Sequence, residues 1–167
     1  MALTPTEEAD MRAMLDEAKI RAVMERYFHA IDANDLPALA SCFTPDARLE
    51  LNANSPARSV IADPAAIAAH FDAAEIQRRE RRRRGDAEPT SGQVAMRTHQ
   101  LSHTCISING DAGQADSFAI VHIIAGERMT VRGLRYTDEF VRTGKDWRIR
   151  SRTHRVQWQN VSLAAKA

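Results

Sequence analysis

The sequence predicts an α+β fold in which N-terminal helices pack on one face of a strongly bent, mostly antiparallel sheet. Three observations carry this reading. Apolar residues recur at helical spacing near the N-terminus, four long alternating segments follow from residue 97, and glycine-containing hairpin turns join those segments. With 167 residues the chain can bury a core of its own. A single domain over 1–167 is expected, its core running from 16 to 158.

Thr4-Pro5-Thr6-Glu7 reads as a capping box with proline at the first helical position, so a helix starts there. Ile20, Val23, Met24, Tyr27, Phe28 and Ile31 then follow the i, i+3, i+4, i+7 spacing of one buried face. Asn34-Asp35 breaks this helix, and Asp35 caps a shorter one predicted over 36–43, which Thr44-Pro45-Asp46 ends. Strands are predicted over 47–53 and 57–62. Asp63-Pro64 opens a third helix with Ile67, His70, Phe71 and Ala74 at helical spacing. The long strands are predicted over 97–108, 114–124, 129–142 and 146–158, with turns at Asn109-Gly110-Asp111, Ala125-Gly126-Glu127 and Thr143-Gly144-Lys145.

Composition excludes several function classes. A net charge of +1 offers no overall attraction to nucleic acid or to a membrane, and no stretch approaches the roughly 20 apolar residues of a spanning helix. Six arginines crowd positions 78–84, but no aromatic residues interleave them, so they read as a solvated helix end running into a mobile loop over 78–96. Cys42 and Cys105 form no Cys-x-x-Cys pattern and are expected as reduced thiols. The acidic N-terminus lacks the features of a signal peptide, which predicts a cytoplasmic protein. Nucleotide-binding loops, His-Glu-x-x-His and Gly-x-Ser-x-Gly are absent from the sequence.

Two segments carry acid-base residues: Arg-Tyr-Phe-His-Ala-Ile-Asp over 26–32 and Arg-Thr-His-Gln-Leu-Ser-His over 97–103. Period-two alternation on the first long strand places His99, Leu101, His103 and Cys105 on one face, read as the inward one. An imidazole suits proton abstraction near neutral pH when a partner orients it, and Asp32 is the candidate partner. Residue types alone favour a satisfied core His99 and a solvent-facing Asp32 at the helix end over a dyad. His99 and His103 lie about 13 Å apart along a strand, so one metal ion does not take both. No metal and no cofactor are expected.

The order and spacing of Ile20, Tyr27, Asp32, Asp35-Leu36, Phe43-Thr44-Pro45-Asp46-Ala47, Thr98-His99, Ile108-Asn109-Gly110-Asp111, Tyr136-Thr137-Asp138-Glu139-Phe140 and Trp147-Arg148-Ile149 resemble the SnoaL-like branch of the NTF2-like superfamily. The resemblance implies a cone-shaped α+β barrel whose bent sheet wraps a helix around an apolar pocket. Scytalone dehydratase, bile acid 7α-dehydratase and hexachlorocyclohexane dehydrochlorinase belong to that branch. It implies that Asp32 and His99 are the pocket dyad and that Tyr27 polarises a substrate carbonyl or assists a departing hydroxyl. It further implies that Arg152, standing where the family often carries a pocket arginine, stabilises developing negative charge. Leu101, Phe118, Ile120, His122, Tyr136 and His103 are the expected substrate-binding residues, His103 standing where some relatives have asparagine.

The expected function is a cofactor-independent dehydratase, other lyase or isomerase acting on a small apolar molecule with an acidic C–H, such as a steroid, terpenoid, polyketide or aromatic precursor. Two alternatives stay open: a polyketide cyclase, and a non-catalytic ligand carrier or assembly subunit like the small subunit of ring-hydroxylating dioxygenases. A homodimer or higher homo-oligomer is expected, because three helices cannot cover both faces of such a sheet.

Overall fold

A computed structural model describes residues 3–72, 94–125 and 127–163. The arginine run and most of the loop expected at 78–96 lie outside the described residues. Helix α1, Pro5–Ala33, starts at the predicted capping box: Thr4 Oγ1 accepts the Glu7 N–H at 3.3 Å and the Glu7 carboxylate accepts the Thr4 N–H at 2.7 Å. It ends at Asn34 in the left-handed conformation (φ 56°). Its predicted apolar face is buried throughout.

Helix α2, Leu36–Ser41, is capped by Asp35, which accepts the Ala38 N–H at 3.0 Å. It stops two residues short of the predicted 43 because the Cys42 carbonyl is taken by the Ile149 N–H at 2.8 Å, which pulls the chain into the sheet. Strand β1, Phe43–Leu51, therefore begins earlier than predicted. Pro45, taken from the sequence as a break, falls in the irregular stretch between Phe43 and Arg48, where a missing ladder N–H is tolerated. Strand β2, Ser59–Ala62, leads into a helix, α3, described over 64–72 and capped by Asp63, whose carboxylate accepts the Ala66 N–H at 2.8 Å.

Four long strands follow: β3, Val94–Asn109; β4, Ala112–Ala125; β5, Arg128–Thr143; and β6, Asp146–Leu163. The curved sheet runs β2-β1-β6-β5-β4-β3. All its pairs are antiparallel except β1 with β6, and it does not close on itself. The α+β class and the bent, mostly antiparallel sheet agree with the sequence reading.

The core lies between α1 and the concave face of the sheet, where Ile20, Met24, Tyr27 and Phe28 meet Leu49, Ala119, Leu134, Phe140, Trp147 and Ile149. Gly113 permits the close approach near the hairpin end, since a Cβ there would lie 2.9 Å from Ile20 Cδ1. Asp16 anchors α1 to the sheet through a bidentate pair with Arg142 (2.7 and 2.6 Å) and accepts the Trp147 indole N–H at 3.1 Å.

The β3 register corrects the predicted face assignment. His99 pairs with Val121 and Leu101 with Ala119, but the next pair is Thr104 with Ser117. The bulge between them inverts the alternation, so Thr104, Ile106 and Ile108 continue the concave face while His103 and Cys105 turn outward and are exposed. His103 stacks on Phe118, ring centroids 5.8 Å apart.

Candidate functional site

Asp32 comes from the last turn of α1 and His99 from β3, and the two meet. His99 Nδ1 lies 2.6 Å from Asp32 Oδ1, and the His99 backbone N–H donates to Asp32 Oδ2 at 2.7 Å. A carboxylate held by two donors has a fixed orientation. It keeps the ring hydrogen on Nδ1 and leaves Nε2 as the bare nitrogen. The Phe28 ring stacks on the imidazole at 5.2 Å. Burial lowers the His99 pKa below its ordinary value; the hydrogen bond to Asp32 and its charge work in the opposite direction, and Arg97 and Arg152 add to the lowering. The ring is neutral near pH 7, as a base must be.

Arg97 also belongs here, although the sequence reading gave it no role. Two residues before His99 on the same strand face, its Nε lies 3.5 Å from Asp32 Oδ1, and its guanidinium donates to the Ile31 carbonyl. The signal was the i, i+2 relation to His99.

Tyr27, Arg152 and Tyr136 form a buried layer. The Arg152 guanidinium lies 4.1 Å from the Tyr27 ring centroid, 4.9 Å from that of Tyr136 and 5.5 Å from that of Phe28. It donates twice to Asp138, at 2.8 and 2.7 Å, and both side chains are fully buried. Burial opposes the charge on Arg152, but Asp138 outweighs it and moves the pKa up. Burial raises both phenols, Tyr136 the more, so each remains protonated. Arg152 Nη1 and Ser117 Oγ are buried without a hydrogen-bond partner among the described residues. Asp138 was missed as a site residue because only strand pairing, Asp138 opposite Arg152, brings it there.

Of the remaining expected residues, Leu101 and Tyr136 share the concave face with His99. His103, Phe118, Ile120 and His122 do not. Phe118 pairs with the exposed Arg135, Ile120 with Gln100 and His122 with Thr98, all opposite in parity to His99. On that convex face a Cβ at Gly133 would run into the Trp158 indole and approach Phe118, so the glycine seats these rings. Phe118 therefore does not join Tyr27 and Leu101 on the concave side. A groove of about 420 Å³ lined by Cys105, Asp116, Asp138 and Glu139 among others contains neither dyad residue.

His154, which the sequence analysis left without a role, also reaches the concave face, opposite Tyr136 with ring centroids 5.3 Å apart. No group of three His, Cys, Asp or Glu side chains placed to hold a metal occurs among the described residues. No described helix is long and apolar enough to cross a membrane.

An open curved sheet backed by a long helix, with an oriented imidazole between them, defines a class of α+β proteins built around a concave site. The chain belongs to the SnoaL-like domain family, which it matches over residues 12–153. No curated protein sequence matches it. Its fold is similar to that of an NTF2-like protein with a cystatin-like fold from Novosphingobium aromaticivorans (22% identity, TM-score 0.71, covering 92% of this chain and 90% of that one). It is also similar to a provisionally named scytalone dehydratase from the same organism (15% identity, TM-score 0.68, covering 89% and 88%). A third similar fold is that of the type 3 hexachlorocyclohexane dehydrochlorinase of Novosphingobium barchaimii (13% identity, TM-score 0.69, covering 95% and 96%).

Proposed function

We propose that the protein is a cofactor-independent lyase, first of all a dehydratase, that removes an acidic proton from a small, largely apolar molecule. The observation that carries this reading is the double contact of Asp32 with His99, through the ring at 2.6 Å and through the backbone N–H at 2.7 Å. The fold's likeness to a dehydratase-named protein and a dehydrochlorinase supports it.

In the proposed reaction His99 Nε2 takes a proton from a carbon next to a carbonyl. The C–H electron pair forms a C=C bond and the carbonyl π pair moves to oxygen. The enolate then returns its electrons and expels hydroxide from the β-carbon, and His99 gives its proton to that oxygen, so water leaves and the imidazole is neutral again. Asp32 orients the ring and stabilises the transient imidazolium. Arg152, its charge partly balanced by Asp138, contributes positive potential from below. Because an imidazole contributes typically 10²- to 10⁴-fold, the substrate must supply an already activated C–H.

The reading extends to one domain, in the cytoplasm, self-associating as a dimer through the convex face. Met96, Phe118, Ile120, Ile124, Met129, Val131 and Trp158 share that face by register, and Met96 and Trp158 are 46% and 45% exposed. The test is to incubate purified protein with a panel of steroid, terpenoid and aromatic β-hydroxy ketones and follow water loss by mass spectrometry. Turnover that disappears in His99→Ala and survives chelator treatment is expected. Turnover that persists in His99→Ala sinks the mechanism.

A further inference from the structure

His154 and His99 stand at the two ends of a row of rings: His99 stacks on Phe28 (5.2 Å), Phe28 meets Tyr136 edge-on (5.3 Å), and Tyr136 leans on His154 (5.3 Å). The backbone decides which His154 nitrogen carries the hydrogen. The Asn52 N–H donates to His154 Nδ1 at 3.2 Å. An amide N–H can only donate, so Nδ1 must be the bare nitrogen, and the hydrogen of the neutral ring sits on Nε2.

The lock is built from several contacts. Asn52 is turned back by a positive φ of 52°, the Ala53 N–H donates to the His154 carbonyl at 2.9 Å, and Asn54 Nδ2 donates to the Val156 carbonyl at 2.7 Å. The loop after β1 is thus stapled to β6 at the histidine and again two residues beyond it. Burial first, then the charges of Arg152 and Arg132 and that of His99 when protonated, lower the His154 pKa to about 4. The ring is a neutral donor wherever a histidine base operates. His99 is its mirror in chemistry, with its hydrogen on Nδ1 and its bare nitrogen on Nε2.

We infer that His154 is a second site residue whose Nε2–H donates a hydrogen bond to the substrate's carbonyl oxygen, and that the substrate class is a ketone, enone or ester. The inference rests on the reading of His99 as the base. As His99 Nε2 takes the α-proton and the carbonyl π pair moves to oxygen, the hydrogen bond from His154 tightens onto the enolate. His154 transfers no proton; a neutral imidazole acts as an electrophile of fixed geometry.

The experiment uses ¹⁵N-histidine-labelled full-length protein at pH 7 with 3,4-dinitrophenol, a phenol ionised at that pH, as the probe for a planar oxyanion. The free protein should show His154 as the Nε2–H tautomer, and a saturating probe should shift both the His154 Nε2–H and the His99 Nε2 resonances. His154→Gln, which keeps an N–H donor, should retain most of the affinity, whereas His154→Phe should lose about tenfold, as expected for one hydrogen bond to a charged oxygen. A His154 ring carrying its hydrogen on Nδ1 overturns the proposal, as does a probe that shifts His99 alone or binds His154→Phe as it binds the unaltered protein. The base reading survives those results. A shift confined to His154 upholds the donor and removes the base, and a shift of neither histidine removes both. The tautomer and the shifts are read on the unaltered protein, so a variant that fails to fold leaves the test intact.

Discussion

Asp32 grips His99 at two points of the same residue, the ring nitrogen at 2.6 Å and the backbone N–H at 2.7 Å. Asp32→Asn should therefore do more than remove a charge. Its amide can present N–H to Nδ1 and force the ring hydrogen onto Nε2, silencing the base. A drop in kcat of about 10²- to 10⁴-fold with little change in the circular dichroism spectrum is expected.

The pH profile of any activity should rise with His99 deprotonation. Because burial lowers its pKa, the inflection should fall below the ordinary 6.5. In Asp32→Asn, residual activity should inflect at still lower pH, since the hydrogen bond and charge that raise the pKa are gone. An inflection above 6.5 in the unaltered protein contradicts this assignment.

Stability should also depend on pH through His154. Its folded pKa of about 4 lies below the ordinary 6.5, so the unfolded chain binds the extra proton more readily. The contribution is complete above pH 6.5 and is lost as pH falls towards 4. Urea midpoints measured across this window should decline less steeply for His154→Gln than for the unaltered protein.

Asp16 works in a lower window. Its hydrogen bonds from Arg142 hold the carboxylate pKa at about 2, so its stabilisation is present above the ordinary 3.8 and disappears as pH falls through 2. Asp16→Ala strands the buried Trp147 indole N–H and removes the bidentate pair with Arg142. A loss of about 1–3 kcal/mol in denaturant titrations at pH 7 is expected.

The Arg152–Asp138 pair tests whether the floor beneath the dyad is structural. Asp138→Ala leaves a buried guanidinium uncompensated and should cost about 3–5 kcal/mol, while the double variant Asp138→Leu with Arg152→Met should recover much of it. If the double variant folds well but has lost probe binding, Arg152 serves the site as well as the core.

The helix face of α1, the hairpin turns at Gly110 and Gly144 and the Asp32–His99 pair were legible because each is written in local spacing or in the order of family motifs. The bulge after Leu101 was not, since a single inserted step in β3 reverses every later side chain, and His103 and Cys105 went outward with it. Phe118, Ile120 and His122 were misplaced by one parity for the same kind of reason: apolar residues occupy both faces of β4, so hydrophobicity alone did not decide which face was inside. Asp138 and His154 depend on β5–β6 register, and the Nδ1 contact of His154 depends on a loop a hundred residues earlier.

Strand β3 is the terminal strand of the described sheet, and the His99 N–H, turned away from β4, is claimed by a carboxylate instead of by another strand. Asp32 thus closes part of an open hydrogen-bonding edge with a negative charge, a device that discourages edge-to-edge aggregation. The residue that orients the proposed base thus also occupies a donor on the sheet's outer edge, and replacing it would free that N–H as well as the ring.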